Sequence, residues 1–272
     1  MAASKSVSQI LPSIFASELS SITERSTVSQ LRESLNTAWE STSDTYRSGC
    51  DIQGECVADY DPIEGVILAS TGSEDLIAGT TAVAAVMSVG TDGGDELIIL
   101  NCGDSRALLV GAGVEDGQNE ISSSSVVYFS TRDHSPKDKR EEERLKSGKG
   151  KGLGYSLPEC SLGRWYLTIG DYQYAVSRSL EGTFATSKGI VSNADVSSIN
   201  LPSFVAEREN ACLLLASDGL FEVIDNEQVG RELISMRMAG FTAADAAKNL
   251  CETAINKYCT SDNVSVIVIY FE

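Results

Sequence analysis

The sequence contains one histidine, His134, and none of its cysteines form a C-x-x-C pair. A zinc site built from histidine and cysteine is therefore not expected, because such sites take about four ligands of these types. The seven cysteines are odd in number and mostly lie within apolar runs. This usage is typical of reduced, packed thiols, and we predict an intracellular protein of the cytoplasm or nucleus.

Long apolar runs are missing as well, since no stretch reaches the roughly 18 residues that a membrane-spanning helix needs. Basic residues are few: 21 lysines and arginines face 39 aspartates and glutamates, which gives a formal net charge of -18. A field of this sign repels nucleic acid and anionic membranes, so neither is an expected partner. It also repels a phosphorylated substrate. Binding or hydrolysis of a phosphate group would therefore need a local positive charge, such as a bound metal ion.

What is present is an ordinary globular composition, with 42% hydrophobic and 22% charged residues among 272. These values predict a folded chain, and its length is compatible with one large two-layer domain. We therefore expect a single domain over residues 1–272 and a monomer.

Apolar residues recur at helical spacing from the start of the chain to about residue 46, which predicts helices there. Pro12 is expected to break the first run into two pieces, because proline removes a helical hydrogen bond. The second helix should begin at Thr27, which forms a capping-box pattern with Gln30. Its predicted buried stripe consists of Val28, Leu31, Leu35, Ala38, Trp39 and Tyr46.

Short apolar or β-branched runs, bounded by turn-forming residues, predict roughly eight strands after these helices. They cover residues 65–70, 80–89, 96–100, 107–110, 126–130, 173–177, 211–217 and 264–271. Residues 111–125 and 146–154 are polar or glycine-rich and are predicted to be loops.

Two later helices are expected to begin at Asp225, paired with Gln228, and at Thr242, paired with Asp245. The apolar stripe of the second one continues over residues 243–258. Helices first, strands in the middle and a helix pair before the last strand predict an α+β fold. In such a fold the helices cover antiparallel sheets.

Three aspartates stand where an apolar strand begins or ends. Asp218 follows the strand in ACLLLASDGLFE, Asp262 precedes the strand in CTSDNVSVIVIY, and Asp104 lies between the two apolar runs of LIILNCGDSRALLV. Each one alone is most simply a turn residue, because aspartate beside glycine or asparagine is common in turns. Together, three carboxylates from different strands are what an oxygen-ligand site for Mg²⁺ or Mn²⁺ requires. The sequence leaves both interpretations open.

Six short motifs follow one another along the chain. They are AGTTA at 78–82, NCGDSR at 101–106, DHSP at 133–136 with Glu143-Arg144 following, AVSRSL at 175–180, LASDGLFEV at 215–223 and SDNV at 261–264. Their order resembles that of the metal-dependent type 2C protein serine/threonine phosphatases. Each motif is weak by itself, but six in order make chance a poor explanation. The resemblance covers about residues 10–272.

The resemblance implies a fold, a metal centre and a reaction. The fold is α+β, with two antiparallel β-sheets packed as a sandwich and flanked by helices. The centre holds two Mg²⁺ or Mn²⁺ ions, and a bridging water attacks the phosphorus of phosphoserine or phosphothreonine in a protein substrate. By position, Asp218 and Asp262 match ligands of this centre. Asp104 matches a contributor to a weaker third metal site, for which Glu222 is a lesser candidate.

The resemblance is incomplete at its N-terminal end. The family's early acidic pair, its Asp-Gly-His-Gly segment and an arginine further upstream are absent from the sequence, and with them about half of the expected ligands. Residues 4–46 resemble the helices that follow Asp-Gly-His-Gly. We therefore expect a phosphatase-like domain without its N-terminal motifs and strands, and truncation explains this more simply than erosion of an intact site.

Three further features stand apart from the metal ligands. His134 lies in the Asp-His-x-Pro motif, where we expect a structural or surface role rather than that of a general acid. Glu181-Gly182 replaces the family's usual Gly-Asp, without an evident effect. A cluster of basic residues between 137 and 151 is predicted to lie on a solvent-exposed helix and loop. The alternative interpretation is that the cluster docks a substrate near the cleft. Its members are Lys137, Lys139, Arg140, Arg144, Lys146, Lys149 and Lys151.

Two functions remain open from the sequence. The first is Mg²⁺- or Mn²⁺-dependent hydrolysis of phosphoserine and phosphothreonine in phosphorylated proteins, which is a signalling reaction. The second is a catalytically silent phosphatase-like protein that binds or regulates phosphoproteins or other partners. The missing ligands favour the second, and the six ordered motifs favour the first.

Overall fold

A computed structural model of the chain describes residues 2–20, 22, 27–49, 56–61, 65–70, 79–88, 95–113, 126–147, 165–169, 172–186 and 189–271. The fold divides into two compact units, each built from two segments of the chain. Unit 1 consists of residues 1–82 and 133–195, and unit 2 of residues 83–132 and 196–272. The single-domain expectation for 1–272 stays a prediction.

Helices open the chain and strands dominate its middle, as predicted. The first half forms α1 (Ala2–Leu19), α2 (Val28–Gly49), β1 (Cys56–Asp61), β2 (Gly65–Ser70), β3 (Gly79–Thr80), β4 (Ala82–Ser88), β5 (Glu96–Cys102), β6 (Arg106–Gly113), β7 (Val127–Ser130) and α3 (Lys139–Ser147). The second half forms β8 (Leu167–Ile169), β9 (Tyr172–Tyr174), β10 (Leu180–Glu181), α4 (Thr183–Thr186), β11 (Asp195–Asn200), α5 (Leu201–Ala206), β12 (Arg208–Ala216), α6 (Asp218–Phe221), α7 (Asn226–Met238), α8 (Ala243–Glu252), a π-helical turn (Thr253–Lys257) and β13 (Val266–Tyr270). Over the described ranges, no helix is both long and apolar enough to cross a membrane.

Unit 2 contains two sheets and a helix layer. The strand order is β11-β5-β4 in one sheet and β13-β12-β6-β7 in the other. In the second sheet every neighbouring pair is antiparallel. The sheets face each other across a core that includes Leu97, Ile99, Ala107, Leu109 and Leu213. The other face of β6 and β12 packs on α7 and α8 through Leu108, Leu214, Val229, Leu233 and Leu250. The predicted antiparallel sandwich with flanking helices is confirmed.

Unit 1 contains the two N-terminal helices and three short antiparallel strand pairs, β1–β2, β3–β10 and β8–β9. α1 and α2 pack together, with the ring centroids of Phe15 and Trp39 6.5 Å apart. Trp39 is completely buried, and its Nε1 donates to Ser192 O at 2.8 Å. A buried indole thus keeps its polar atom satisfied and ties α2 to a distant segment of the same unit.

Side chains mark the start of α2, α7 and α8 where the sequence predicts them. Thr27 N donates to Gln30 Oε1 at 2.8 Å, and Gln30 N donates to Thr27 Oγ1 at 3.3 Å. These two bonds close the capping box. Asp225 and Thr242 accept from backbone N–H groups three residues later and cap α7 and α8.

α1 passes through Pro12 without interruption, so the predicted break is wrong. Ala3, Val7 and Phe15 are buried along one side of this helix. Their spacing places them on a single stripe, and burial of both halves outweighs the one hydrogen bond that proline removes. Val28, a predicted member of the α2 stripe, is exposed because it lies in the first turn of its helix.

Other differences from the predicted elements follow from short or polar sequences. The predicted strand over 80–89 is split at Thr81 into β3 and β4. β10 has only two residues and β11 has the polar sequence DVSSIN, so neither carries the apolar run used for prediction. α8 changes into the π-helical turn after Glu252, which leaves Ile255 50% exposed instead of on the apolar stripe.

Within the described residues, β13 is the edge strand of its sheet. Ile267 and Ile269 are 58% and 42% exposed. Their register partners on β12, Leu215 and Leu213, pack into the core between the two sheets. The sequence of β13, VIVIY, contains no charged residue of the kind that discourages pairing at an edge.

The cysteines whose side chains the structure describes are free thiols, as the sequence predicts. They are Cys102, Cys212, Cys251 and Cys259. Burial raises the pKa of Cys212 to about 12, so its thiol stays protonated and unreactive at neutral pH. Cys212 therefore serves as a packing residue of β12.

Candidate metal centre

The first predicted ligand, Asp218, stands at the end of a buried strand. β12 places Cys212 and Leu214 in the core, and Ser217 continues its extended backbone with φ -71° and ψ 164°. α6 begins at Asp218, and the buried side chain of Leu220 anchors this short helix. The carboxylate of Asp218 is consequently held at a rigid end of the sheet.

Glu222 lies one helical turn after Asp218. Its backbone N donates to Asp218 O at 2.9 Å. Residues four positions apart in a helical turn share one face, so the two carboxylates project from the same side. The sequence ranks Glu222 only as a lesser candidate for a metal ligand.

The second predicted ligand, Asp262, lies in the loop that leads into β13. Its Oδ1 accepts from Asn263 N at 2.7 Å, and its backbone N donates to Thr260 Oγ1 at 3.4 Å. Cys259, with φ 54°, adopts the left-handed conformation that turns the chain after the π-helical segment. These local features orient the Asp262 carboxylate before the strand begins.

Asp218, Glu222 and Asp262 converge in unit 2. Each offers one carboxylate oxygen, and these three oxygens lie within 4.8 Å of one another. In the part of the chain that the structure describes, this is the one group of three or more His, Cys, Asp or Glu side chains with such spacing. Asp104, in the turn between β5 and β6, is not a member of it. Two of the three predicted residues are therefore brought together, and Glu222 joins them.

The donor set fits a hard divalent cation. All three groups are carboxylates at least partly exposed to solvent, and the set contains no histidine or thiolate. Mg²⁺ and Mn²⁺ prefer oxygen ligands and retain several waters, which an exposed three-carboxylate site permits. Three negative charges this close repel one another, and a cation would offset that repulsion.

Close packing keeps the Asp218 and Asp262 loops together. A Cβ on Gly219 would stand 2.5 Å from Asn263 O and 3.3 Å from Asp262 Cβ. Only glycine permits this approach, because real side chains do not come so near a backbone oxygen. Gly219 is thus required for the spacing of the two aspartates.

Unit 1 contains a buried polar cluster centred on Glu141 of α3. Glu141 Oε2 accepts from Arg144 Nε at 3.0 Å and from Ser177 Oγ at 2.8 Å, and Oε1 accepts from Arg178 Nε at 2.9 Å. Burial opposes the charged form, but the hydrogen bonds and charges of Arg178 and Arg144 outweigh it and lower the pKa of Glu141 to about 2. The prediction that the basic cluster forms a solvated helix and loop is wrong for Arg144, because Arg144 also donates to Gly189 O and Ser177 O, which lie far along the chain. Lys149 and Lys151 lie outside the described residues.

His134 belongs to the same cluster and is 1% exposed. Its Nε2 lies 3.2 Å from Asp195 Oδ2, while Arg178 Nη1 donates to Asp195 Oδ1 at 3.0 Å. The neighbouring His134 ring lowers the pKa of Asp195 to about 2; Arg178 adds to this effect, and partial burial opposes it. The predicted structural role agrees with this environment, and a surface position is excluded.

Glu181, the residue that departs from the expected Gly-Asp, is buried opposite Gly79. β10 pairs with β3 so that a Cβ on Gly79 would stand 1.8 Å from Glu181 Oε1. Ser179 Oγ donates to Oε1 at 2.6 Å, and Oε2 is buried without a hydrogen-bond partner among the described residues. Burial raises the pKa of Glu181 to about 7, although the Ser179 hydroxyl opposes this change. The chain therefore buries a weakly acidic carboxyl group in the space that Gly79 leaves open by having no side chain.

Known sequences similar to this chain are phosphatases. A family model described as protein phosphatase 2C matches residues 65–264. The chain is 29% identical over 198 residues to probable protein phosphatase 2C 61 of Arabidopsis thaliana, which covers 71% of this chain and 54% of that protein. It is 31% identical over 218 residues to probable protein phosphatase 2C 8 of Oryza sativa subsp. japonica, covering 76% of this chain and 45% of that protein. The chain thus spans about half the length of these relatives.

Solved structures with the same fold include the serine-threonine phosphatase 2C from Toxoplasma gondii. The TM-score is 0.70 at 17% sequence identity, over 99% of this chain and 81% of that chain. A phosphatase from a pathogenic strain of Toxoplasma gondii gives a TM-score of 0.56 at 18% identity. At such low identity the likeness concerns the fold alone, and it agrees with the predicted α+β architecture.

Proposed function

The chain belongs to the protein phosphatase 2C family, and on that premise we propose that it hydrolyses phosphoserine and phosphothreonine in proteins with the help of Mg²⁺ or Mn²⁺. The observation that carries the proposal is the convergence of Asp218, Glu222 and Asp262 within 4.8 Å. The proposed partner is a phosphorylated protein. We further propose that the chain acts as a monomer in the cytoplasm or nucleus.

Asp218, Glu222 and Asp262 would hold the metal through carboxylate oxygens, and Asp104 is proposed to contribute to a weaker third ion. When bound, such ions supply an activated water and positive charge beside the phosphoryl oxygens. The carboxylates concentrate that positive charge at one end of the sheet, on a chain whose net charge of -18 would otherwise repel a phosphate. Gly219 keeps the two aspartate loops in contact, so the ligand spacing is set before any ion binds.

A catalytically silent phosphoprotein-binding or regulatory role is the second candidate. It is favoured by the small number of ligands, since three carboxylates are the whole of this group among the described residues. Two neighbouring divalent ions repel each other, and several carboxylates are needed to offset that repulsion. If the three carboxylates hold a single ion, the chain would bind a phosphoprotein without hydrolysing it.

Hydrolysis of a phosphothreonine peptide in the presence of Mn²⁺ separates the two roles. We expect turnover by the wild-type chain, and a decrease of at least roughly 100-fold for Asp218→Asn, equal to about 2.7 kcal/mol in the barrier. Asp44→Asn is the matched control, because it also replaces a carboxylate but on the exposed surface of α2. Asp104→Asn should leave the tightest Mn²⁺ binding unchanged.

Circular dichroism of each variant shows whether the fold is retained. Wild-type turnover no greater than that of a folded Asp218→Asn variant would refute the enzymatic role. Binding of the phosphopeptide by that same inactive wild-type chain would support the silent role instead.

A further inference from the structure

The loops that carry Asp218 and Asp262 are joined by the side chain of Ser217. Its Oγ donates to Asn263 O at 3.1 Å and accepts from Ser265 N at 3.0 Å. Ser217 N also donates to Ser265 O at 3.0 Å. One residue thus makes three hydrogen bonds to the segment that directly follows Asp262.

This use of the Ser217 hydroxyl differs from its usual use at a helix start. Ser217 is the N-cap of α6, where a serine oxygen normally accepts from the first N–H groups of its own helix. Its side chain makes no such capping bond, whereas Asp225 and Thr242 cap α7 and α8 in the ordinary way. The Ser217 hydroxyl is committed to the neighbouring segment instead.

The three bonds control the relative position of two ligands. Asp218 directly follows Ser217, and Asp262 directly precedes Asn263, so neither aspartate can move far while the bonds hold. Gly219 contacts the same Asn263 carbonyl and sets the shortest distance between the loops. The Ser217 hydroxyl supplies the attraction that keeps them at that distance.

We propose that Ser217 is a positioning residue, which holds Asp218 and Asp262 at the separation required for a divalent cation. The inference rests on the proposed function, because it takes these aspartates as metal ligands. Groups that orient metal ligands through hydrogen bonds typically change metal affinity roughly 10–100-fold when removed. The Ser217 hydroxyl acts here through the backbone of both loops.

The test is Mn²⁺ affinity, measured by isothermal titration calorimetry, together with the thermal midpoint in EDTA. Ser217→Ala should weaken Mn²⁺ binding roughly 10–100-fold. Ser217→Thr keeps the hydroxyl and should restore affinity to within a few-fold of wild type. Ser265→Ala removes a nearby hydroxyl but keeps the backbone groups that bind Ser217, so it should match wild type.

A further variant, Val268→Ala, separates positioning from stability. Val268 packs on the core formed with α7 and α8, so its truncation lowers the thermal midpoint without touching the bonds of Ser217. Its Mn²⁺ affinity should equal that of wild type. An equal loss of affinity in Val268→Ala and Ser217→Ala would overturn the proposal, because the effect would then follow from stability.

The remaining outcomes are also decisive. Unchanged Mn²⁺ affinity in Ser217→Ala would overturn the positioning role alone. A wild-type chain that binds no Mn²⁺ would refute the carboxylate site and this role with it. Mn²⁺ binding that depends on Ser217, in a chain without phosphatase activity, would support the positioning role and refute catalysis.

Discussion

Replacing Glu141 with alanine should lower the free energy of unfolding by about 3–5 kcal/mol, because Arg144 loses its carboxylate partner and Arg178 loses one carboxylate while it keeps Asp195. Arg144 also donates to Gly189 O at 3.0 Å and to Ser177 O at 2.9 Å. Arg178 donates to Asn193 O at 3.3 Å. The cluster therefore joins α3 to two later segments of unit 1. Loss of Glu141 would weaken the packing of α3 on both segments.

Urea unfolding followed by circular dichroism at neutral pH measures this change. Glu142→Ala is the matched control, because Glu142 is adjacent on α3 but pairs with Lys146 at the surface. Surface pairs contribute little, and the control should differ from wild type by less than about 0.5 kcal/mol. A loss below about 1 kcal/mol for Glu141→Ala would show that the cluster is not a major source of stability.

The contribution of Glu141 should also depend on pH in one direction. Its pKa falls from 4.5 to about 2 on folding, so the folded state binds fewer protons than the unfolded state between these values. The stabilisation is fully present above pH 4.5 and is lost as the pH falls toward 2. The stability difference between wild type and Glu141→Gln should shrink over the same interval.

Replacing Glu181 with glutamine should stabilise the chain at pH 8 by up to about 3 kcal/mol and change it little at pH 4. The pKa of Glu181 rises from 4.5 to about 7 on folding. Between these values the folded state binds more protons, so stability falls as the pH rises, by about 1.4 kcal/mol for each unit of pKa difference. Glutamine resembles the protonated carboxyl in shape and removes this dependence.

Thermal or urea unfolding at several pH values from 4 to 8 tests the prediction. Every titratable group other than residue 181 is the same in both proteins, so its contribution cancels in the difference between them. Glu252→Gln, at a side chain 57% exposed, serves as the control and should run parallel to wild type. A difference between wild type and Glu181→Gln that does not grow with pH would contradict the assignment of a buried, protonated carboxyl group.

Local patterns predicted the parts of the fold that depend on neighbouring residues. The Thr27–Gln30 box and the caps at Asp225 and Thr242 involve partners three positions apart, and all three form as expected. The failure at Pro12 has the opposite cause. A proline penalty is local, whereas the burial that outweighs it comes from tertiary packing.

Contacts between distant residues explain what the sequence did not reveal. The residues that flank Glu141 in the sequence are mostly charged, as in a helix on the surface. Its partners Ser177 and Arg178 lie far along the chain. The fit between Glu181 and Gly79 depends in the same way on the pairing of β10 with β3. A sequence shows such residues only as charges or glycines, because their environment is made by the fold.

The candidate site lies between these cases. Asp218 and Asp262 could be identified because each stands beside an apolar strand and within an ordered motif. Glu222 joins them through one helical turn, a spacing visible in the sequence but shared by many surface residues. Ser217 gave no such indication, since a serine before a short helix is ordinarily a cap.

The exposed isoleucines of β13 favour self-association of the chain, and charge repulsion between molecules opposes it. Among the residues that the structure describes, β13 is an edge strand without charged residues, and nothing in its sequence discourages a second molecule from pairing beside Ile267 and Ile269. The net charge of -18 keeps molecules apart at long range. Salt shortens this repulsion to about 8 Å at physiological ionic strength, and acid removes it near the low isoelectric point. We therefore expect the chain to stay dispersed in dilute, low-salt buffer at neutral pH.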